Sequence, residues 1–195
     1  MRERIAWLIS NILNPFLMSG IVLVLLSFHN NPSIIDALKW AGIAIVISVL
    51  PVFVVVIWLV RRRKMDGFYD NTRNQRRFVY ILASALGAIG CAAMWIFKAP
   101  ELLAVTFTAG FIELAVFMGI NYYWKISLHT AFTAGAVTIL SLVYGVEAIW
   151  TLVFLPLVGW SRVQLKQHTL AQVVSGAALA AAIAAGIFGG FGVIG

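Results

Sequence analysis

Apolar residues run along this chain in long stretches, and polar residues collect in the short gaps between them. The runs lie at about Ile5–Phe28, Trp40–Val60, Phe78–Phe97, Leu102–Ile120, Leu128–Val146, Ala148–Trp160 and Leu170–Ile194. All but the sixth approach or exceed the roughly 20 residues that a helix rising about 1.5 Å per residue needs to cross a hydrocarbon core. None alternates strictly between polar and apolar positions, and in lipid the backbone must satisfy its own hydrogen bonds, so helices are predicted rather than a barrel. Turn and breaker residues punctuate the runs at Asn30-Asn31-Pro32, Lys98-Ala99-Pro100-Glu101 and Tyr144-Gly145-Val146-Glu147. The pattern predicts an all-α fold, a polytopic transmembrane helix bundle of about 6–7 spans. No low-complexity tail or internal repeat interrupts it, so residues 1–195 read as a single domain.

Composition fits this picture. The chain is 62% hydrophobic and 11% charged, against roughly 25% charged for a soluble domain, and a soluble fold has no means of covering so much apolar surface. The one cysteine, Cys91, lies inside an apolar run and reads as packing; neither a disulfide framework nor a CxxC metal pair is available. Arg2 and Arg4 precede the first apolar run, but Asn11, Asn14 and Pro15 interrupt it. That run therefore reads as the first span and not as a signal peptide. Gly176, Ala180, Ala184, Gly186 and Gly190 stud the last run at spacings that let helices approach closely.

Charge sets the expected orientation. With seven spans, 12 of the 14 lysines and arginines fall on one side of the bilayer, and only Lys39 and Lys98 on the other. The basic side is expected in the cytoplasm, with the N-terminus inside, the C-terminus outside and the chain in the cell (inner) membrane. Arg61, Arg62 and Arg63 read as an anchor to anionic phospholipid headgroups; no nucleic-acid partner is expected. Tyr122, Tyr123, Trp124 and Trp160 read as an interfacial aromatic belt.

The same parity gathers three polar segments on the basic side: residues 61–77, residues 125–129 (Lys-Ile-Ser-Leu-His), and residues 161–172 (Ser-Arg-Val-Gln-Leu-Lys-Gln-His-Thr-Leu-Ala-Gln). Together they offer cations for phosphate oxygens, one imidazole to attack and one to protonate a leaving group.

These segments resemble the type-2 phosphatidic acid phosphatases of the acid phosphatase and vanadium haloperoxidase superfamily. Ser161, Arg162, His168, position 172 and Gly176 follow that family's SRxxxxxHxxxD pattern with its trailing glycine, with Gln172 standing where the family has Asp. Ser127-Leu128-His129 is similar to its PSGH motif, with Leu128 in place of glycine. Lys64 to Arg73 corresponds to its KxxxxxxRP segment, at a spacing of nine instead of seven and without the proline. The chain looks most like small bacterial members whose motifs read KISxH and HxxxQVxxG.

The resemblance implies a phosphohistidine mechanism on a lipid phosphate or isoprenoid (di)phosphate, with no metal and no cofactor. His168 is the expected nucleophile and His129 the expected acid. Gln172 orients His168, while Lys64, Arg73, Arg76, Lys125, Ser127 and Arg162 hold phosphate oxygens. Two other readings remain open. One is a catalytically weakened member that binds or moves phospholipid, since a neutral Gln172 does not stabilise an imidazolium. The other is a metal-dependent prenyl or alcohol-phosphate transferase using Asp66 and Asp70. Glu113, inside the fourth run, reads equally as a counter-charge, a proton relay or a protonated packing contact.

Overall fold

The computed structural model describes residues 1–29, 31–65 and 73–193. Among these, regular structure is helical throughout: α1 (Arg2–Ile12), α2 (Pro15–Phe28), α3 (Ile34–Ile47), α4 (Val49–Arg61), α5 (Arg73–Ile96), α6 (Glu101–Tyr123), α7 (Leu128–Tyr144), a 3₁₀ run (Gly145–Val153), α8 (Phe154–Gln164) and α9 (Leu170–Phe191). Five stretches are long and apolar enough to cross a membrane: Ile34–Arg61, Asn74–Ile96, Glu101–Tyr123, Leu128–Gln164 and Leu170–Phe191. The pair α1 and α2, bent by 41°, makes a sixth if it crosses as one. Side chains such as Ile35, 80% exposed, and Ile89, 61% exposed, lie on helix surfaces that only lipid accommodates. The chain is a multi-pass membrane protein.

Two of the expected spans take a different form. The first breaks at Leu13–Asn14, where the Asn14 carbonyl oxygen Oδ1 accepts from Leu17 N at 2.9 Å and Pro15 opens α2. Proline suits a first helical turn, where its missing N–H has no partner to lose. The expected short span Ala148–Trp160 is divided between a 3₁₀ run and α8 rather than forming one helix. Gly145 ends α7 in a left-handed conformation with φ 61°, a 3₁₀ run follows, and Pro156 marks the first turn of α8. Drawn out straight, the 37 residues of Leu128–Gln164 would span about 55 Å. Instead, the 3₁₀ run and α8 both pack against α7, so the stretch is not one straight helix.

The described residues form two compact units, one of Met1–Val22 with Trp124–Gly195 and the other of Leu23–Tyr123. In the first, α1 packs on α8 and α7 on α9. The buried stripe of α9 is Val173, Gly176, Ala180, Ala184 and Phe188, so of the small residues noted in the sequence, Gly186 and Gly190 lie exposed. In the second, α5 packs on α6 and α3 on α4.

Helix ends follow one rule three times. After α4, α5 and α8 the chain turns through Arg63, Lys98 and Lys166, each at φ 54°. In each case the next amide bonds back to the helix: Lys64 N to Leu59 O at 2.9 Å, Ala99 N to Met94 O at 2.9 Å, and Gln167 N to Arg162 O at 3.0 Å. This 6→1 closure satisfies the last carbonyls. A left-handed non-glycine residue costs about 1–2 kcal/mol, and a cation near the helix C-terminus offsets about 0.3–1 of it through the helix dipole.

Candidate functional site

The turn after α8 positions the first candidate. Its closure leaves the Arg162 carbonyl accepting from both Gln167 N and His168 N, the latter at 3.3 Å, so His168 stands between α8 and α9. Thr169 then caps α9. Its hydroxyl accepts from Gln172 N at 3.3 Å, while Gln172 Oε1 accepts from Thr169 N at 3.1 Å, a reciprocal capping box. The same Oε1 lies 3.3 Å from His168 Nδ1. Gln172 thus fastens the helix start and the imidazole with one oxygen, and an Nδ1–H held this way leaves Nε2 with its lone pair.

The segment 125–129 meets this turn from the other direction. The Lys125 backbone carbonyl is a second acceptor beside the His168 ring, and the neutral ring, with one N–H, donates to either it or Gln172 Oε1 at a time. Ser127 N donates to Gln172 O at 3.4 Å, and Thr130 Oγ1 reaches Val173 O at 3.2 Å, tying the start of α7 to the start of α9. The approach is close because Gly176 has no side chain: a Cβ there would lie 2.9 Å from Ser127 O and 3.2 Å from Thr130 Oγ1. Ser127, fully buried, caps α7 by accepting from Thr130 N at 3.5 Å, and its hydroxyl proton remains available for another acceptor.

His129, one residue into α7, and Arg162, on the last turn of α8, are 4% and 3% exposed. Arg162 acts electrostatically on both imidazoles, and the imidazoles act on each other. Both buried groups are held by a residue to which the sequence pattern gave no role, Ser10 of α1. Its hydroxyl accepts from Arg162 Nη1 at 2.8 Å, and its backbone carbonyl accepts from the His129 ring. Ser10 is 2% exposed. Its only signal was a polar position, beside Asn11, in an otherwise apolar run.

Burial, the Arg162 guanidinium and the Lys125 ammonium together push His168 down from the ordinary 6.5 to about 3. The ring is therefore neutral at physiological pH, the state a nitrogen nucleophile requires. Between about 6.5 and about 3 the unfolded chain binds a proton at this residue that the folded chain does not. Stability therefore falls as pH drops through that window and is independent of this group above it. Denaturation midpoints in detergent should show His168→Asn losing part of that acid sensitivity; identical acid dependence in both proteins would contradict this.

The first polar segment belongs to the other unit. There the Lys64 ammonium lies 5.4 Å from the centroid of the Trp58 ring, and Arg76 lies near Tyr80. The Arg73 side chain and Asp66 and Asp70 lie outside the described residues. Tyr122, Tyr123, Trp124 and Trp160 are all surface-exposed, with the Arg77 guanidinium 5.6 Å from the Tyr122 ring. Cys91 packs against Thr108 Oγ1 at 3.4 Å. A scan of protein families finds no match to the chain, and comparisons with curated proteins and with solved structures find none either.

Proposed function

We propose that the chain is a membrane-embedded phosphatase that hydrolyses a lipid phosphate or an isoprenoid (di)phosphate through a phosphohistidine. The observation that carries this reading is the shared site of His168, His129 and Arg162. It joins a neutral imidazole tethered at Nδ1, a second buried imidazole and a fixed guanidinium. Two histidines and an arginine in one polar cluster, His168 part-buried and His129 and Arg162 buried, suit phosphoryl transfer, in which one nitrogen attacks, another handles protons and a cation holds the oxygens. The resemblance of 125–129 and 161–176 to type-2 phosphatidic acid phosphatases supports the same reading.

In the first step, the His168 Nε2 lone pair forms a P–N bond while the P–O bond to the lipid breaks, and His129, which takes up a proton from solvent when the anionic phosphate binds beside it, passes that proton to the leaving oxygen. In the second step, water attacks phosphorus, its proton returns to His129, and the P–N electrons return to His168 as phosphate departs. Arg162 and Lys125 neutralise the phosphate oxygens throughout. No metal and no cofactor takes part. The substrate is an amphiphile reached at headgroup depth, and the excess of basic residues supports a site and N-terminus on the cytoplasmic side of the cell membrane.

A phosphate-release screen of the purified protein on a panel of lipid phosphates and prenyl diphosphates, with and without chelator, tests the reading. Release in EDTA is expected. Release only with a divalent cation would favour a transferase using Asp66 and Asp70, and lipid binding without release would favour a weakened, lipid-moving relative.

Gln172 supplies a graded prediction. Gln172→Glu keeps the capping box and puts a carboxylate where the amide touches His168, raising the basicity of the ring and stabilising its cation. The opposite swap, acid to amide, costs about 10⁴ in the serine-protease triad, so turnover should rise by about tenfold or more. Gln172→Ala releases the ring and removes the N3 arm of the capping box, while the Thr169 N-cap stays, so turnover should fall and the thermal midpoint drop slightly. Unchanged turnover in both variants would show that Gln172 does not orient the nucleophile.

A further inference from the structure

Away from the phosphate site, α5 and α6 bury a second set of polar groups. The helices run antiparallel: the Arg77 guanidinium lies over Tyr122, Gly87 lies against Phe111, and Cys91 against Thr108. On the facing surfaces, Tyr80 and Ser84 stand one turn apart on α5, and Glu113 and Asn121 two turns apart on α6. Each is less than 9% exposed. Tyr80 OH, Ser84 Oγ, Glu113 Oε1 and Asn121 Oδ1 are buried with no hydrogen-bond partner among the described residues. Four such atoms in one helix pair, at about 1–3 kcal/mol each, are too costly to leave dry.

Their distribution is one-sided. Glu113 lies near the middle of the 23-residue α6, about 15 Å from the end at Tyr123. The helix register brings Ser84 level with Glu113, with Tyr80 and then Asn121 nearer the end where α5 begins and α6 finishes. Toward the opposite end, no buried polar side-chain atom of α5 or α6 is left without a partner among the described residues. Thr106 Oγ1 donates to Leu102 O at 2.6 Å, Thr108 Oγ1 to Ala104 O at 2.8 Å, and Trp95 Nε1 to Thr108 Oγ1 at 3.0 Å. There too the Phe107 ring fills the space beside Gly90, where a Cβ would meet it at 2.6 Å.

We propose that this row is a hydrated half-channel carrying protons from the surface where α5 begins to a protonation site at Glu113 in mid-membrane. Hydroxyls that donate and accept, spaced at one helix turn and bridged by water, pass a proton along, whereas carbonyl-bonded threonines and a packed Phe107 do not. The ligand is the proton, and the carrier chemistry is water. Tyr80 and, beyond it, Arg76 are the titratable and charged groups facing Glu113 from α5. Between Lys39 and Arg61, α3 and α4 supply none, and between Glu101 and the end of α6 the titratable groups are Glu113 itself and, in the last turn, Tyr122 and Tyr123. The half-channel is independent of the phosphatase reading.

Infrared spectroscopy of the full chain in lipid nanodiscs tests it. A protonated-carboxyl band should be present, vanish in Glu113→Gln, and shift in D₂O as fast as mixing allows. Tyr80→Phe combined with Ser84→Ala should slow that shift by about tenfold or more, as a barrier raised by one lost proton-relay step requires. A Glu113 band that resists exchange for hours, or the absence of any protonated Glu113 in folded protein, would overturn the proposal. Sidedness is read separately from Ser84→Cys in a Cys91→Ala background in oriented vesicles. Silver ion, small enough to follow water, should block the new thiol from the side where α5 begins; reaction from the other side alone, or from neither, would contradict it.

Discussion

His168→Ala should lower lipid phosphate hydrolysis by about 10⁴-fold or more, the scale seen when a covalent nucleophile is removed. The residue lies in the turn between α8 and α9 and is only part-buried, so its loss leaves the helix packing intact. The comparison of thermal midpoints separates chemistry from folding: activity should vanish while the midpoint moves little. Full activity in the variant would mean that His168 forms no phosphoryl intermediate, and the metal-dependent alternative would then lead. His129→Ala is a weaker probe because that side chain is buried and bonded to Ser10, so its effect mixes catalysis with packing.

Arg162→Lys should reduce kcat/KM by about 10²–10³, the cost of removing a preorganised donor to a developing oxyanion. Charge is conserved, so the loss isolates geometry: the planar fork that engages two phosphate oxygens and the contact with Ser10 Oγ at 2.8 Å are both lost to a point charge. A product-like oxyanion such as vanadate should bind more weakly in parallel. Hydrolysis and vanadate affinity that both survive Arg162→Lys would place phosphate elsewhere. Ser10→Ala separates the fork from its support, because Arg162 is then retained but no longer held from α1.

How legible the protein was depended on the kind of signal. Apolar runs of membrane length gave the helices, because in lipid nothing but helical pairing satisfies a spanning backbone. The form of residues 145–164 was less legible, because Gly145 and Pro156 interrupt α-helical hydrogen bonding without changing hydropathy; a window of apolar residues reads a 3₁₀ run and a helix alike. Within the candidate site, the i to i+4 spacing of His168 and Gln172 implied their contact in advance, but His168 lies in the turn before α9, and the capping box rather than a shared helix face brings Gln172 Oε1 to it. The role of Gly176 was less visible: it lies in the approach of α9 to the Ser127 carbonyl, a long-range contact with no local pattern. Ser10 was invisible for the same reason, since 152 residues separate it from Arg162 and neither residue's neighbours announce the other. The polar row on α5 and α6 was half visible. Glu113 stands out in an apolar run, but only the antiparallel register shows that Ser84 and Tyr80 face it.

The central claim is a phosphoryl group carried by His168, and trapping that intermediate tests it most directly. Purified protein mixed with a lipid phosphate in EDTA, quenched in alkali during turnover and digested for mass spectrometry, should yield an acid-labile, alkali-stable phosphoryl group on the peptide containing His168. The group should be absent from His168→Ala. Phosphate release that proceeds with no phosphorylated histidine, or with the phosphoryl group on another residue, would contradict the account.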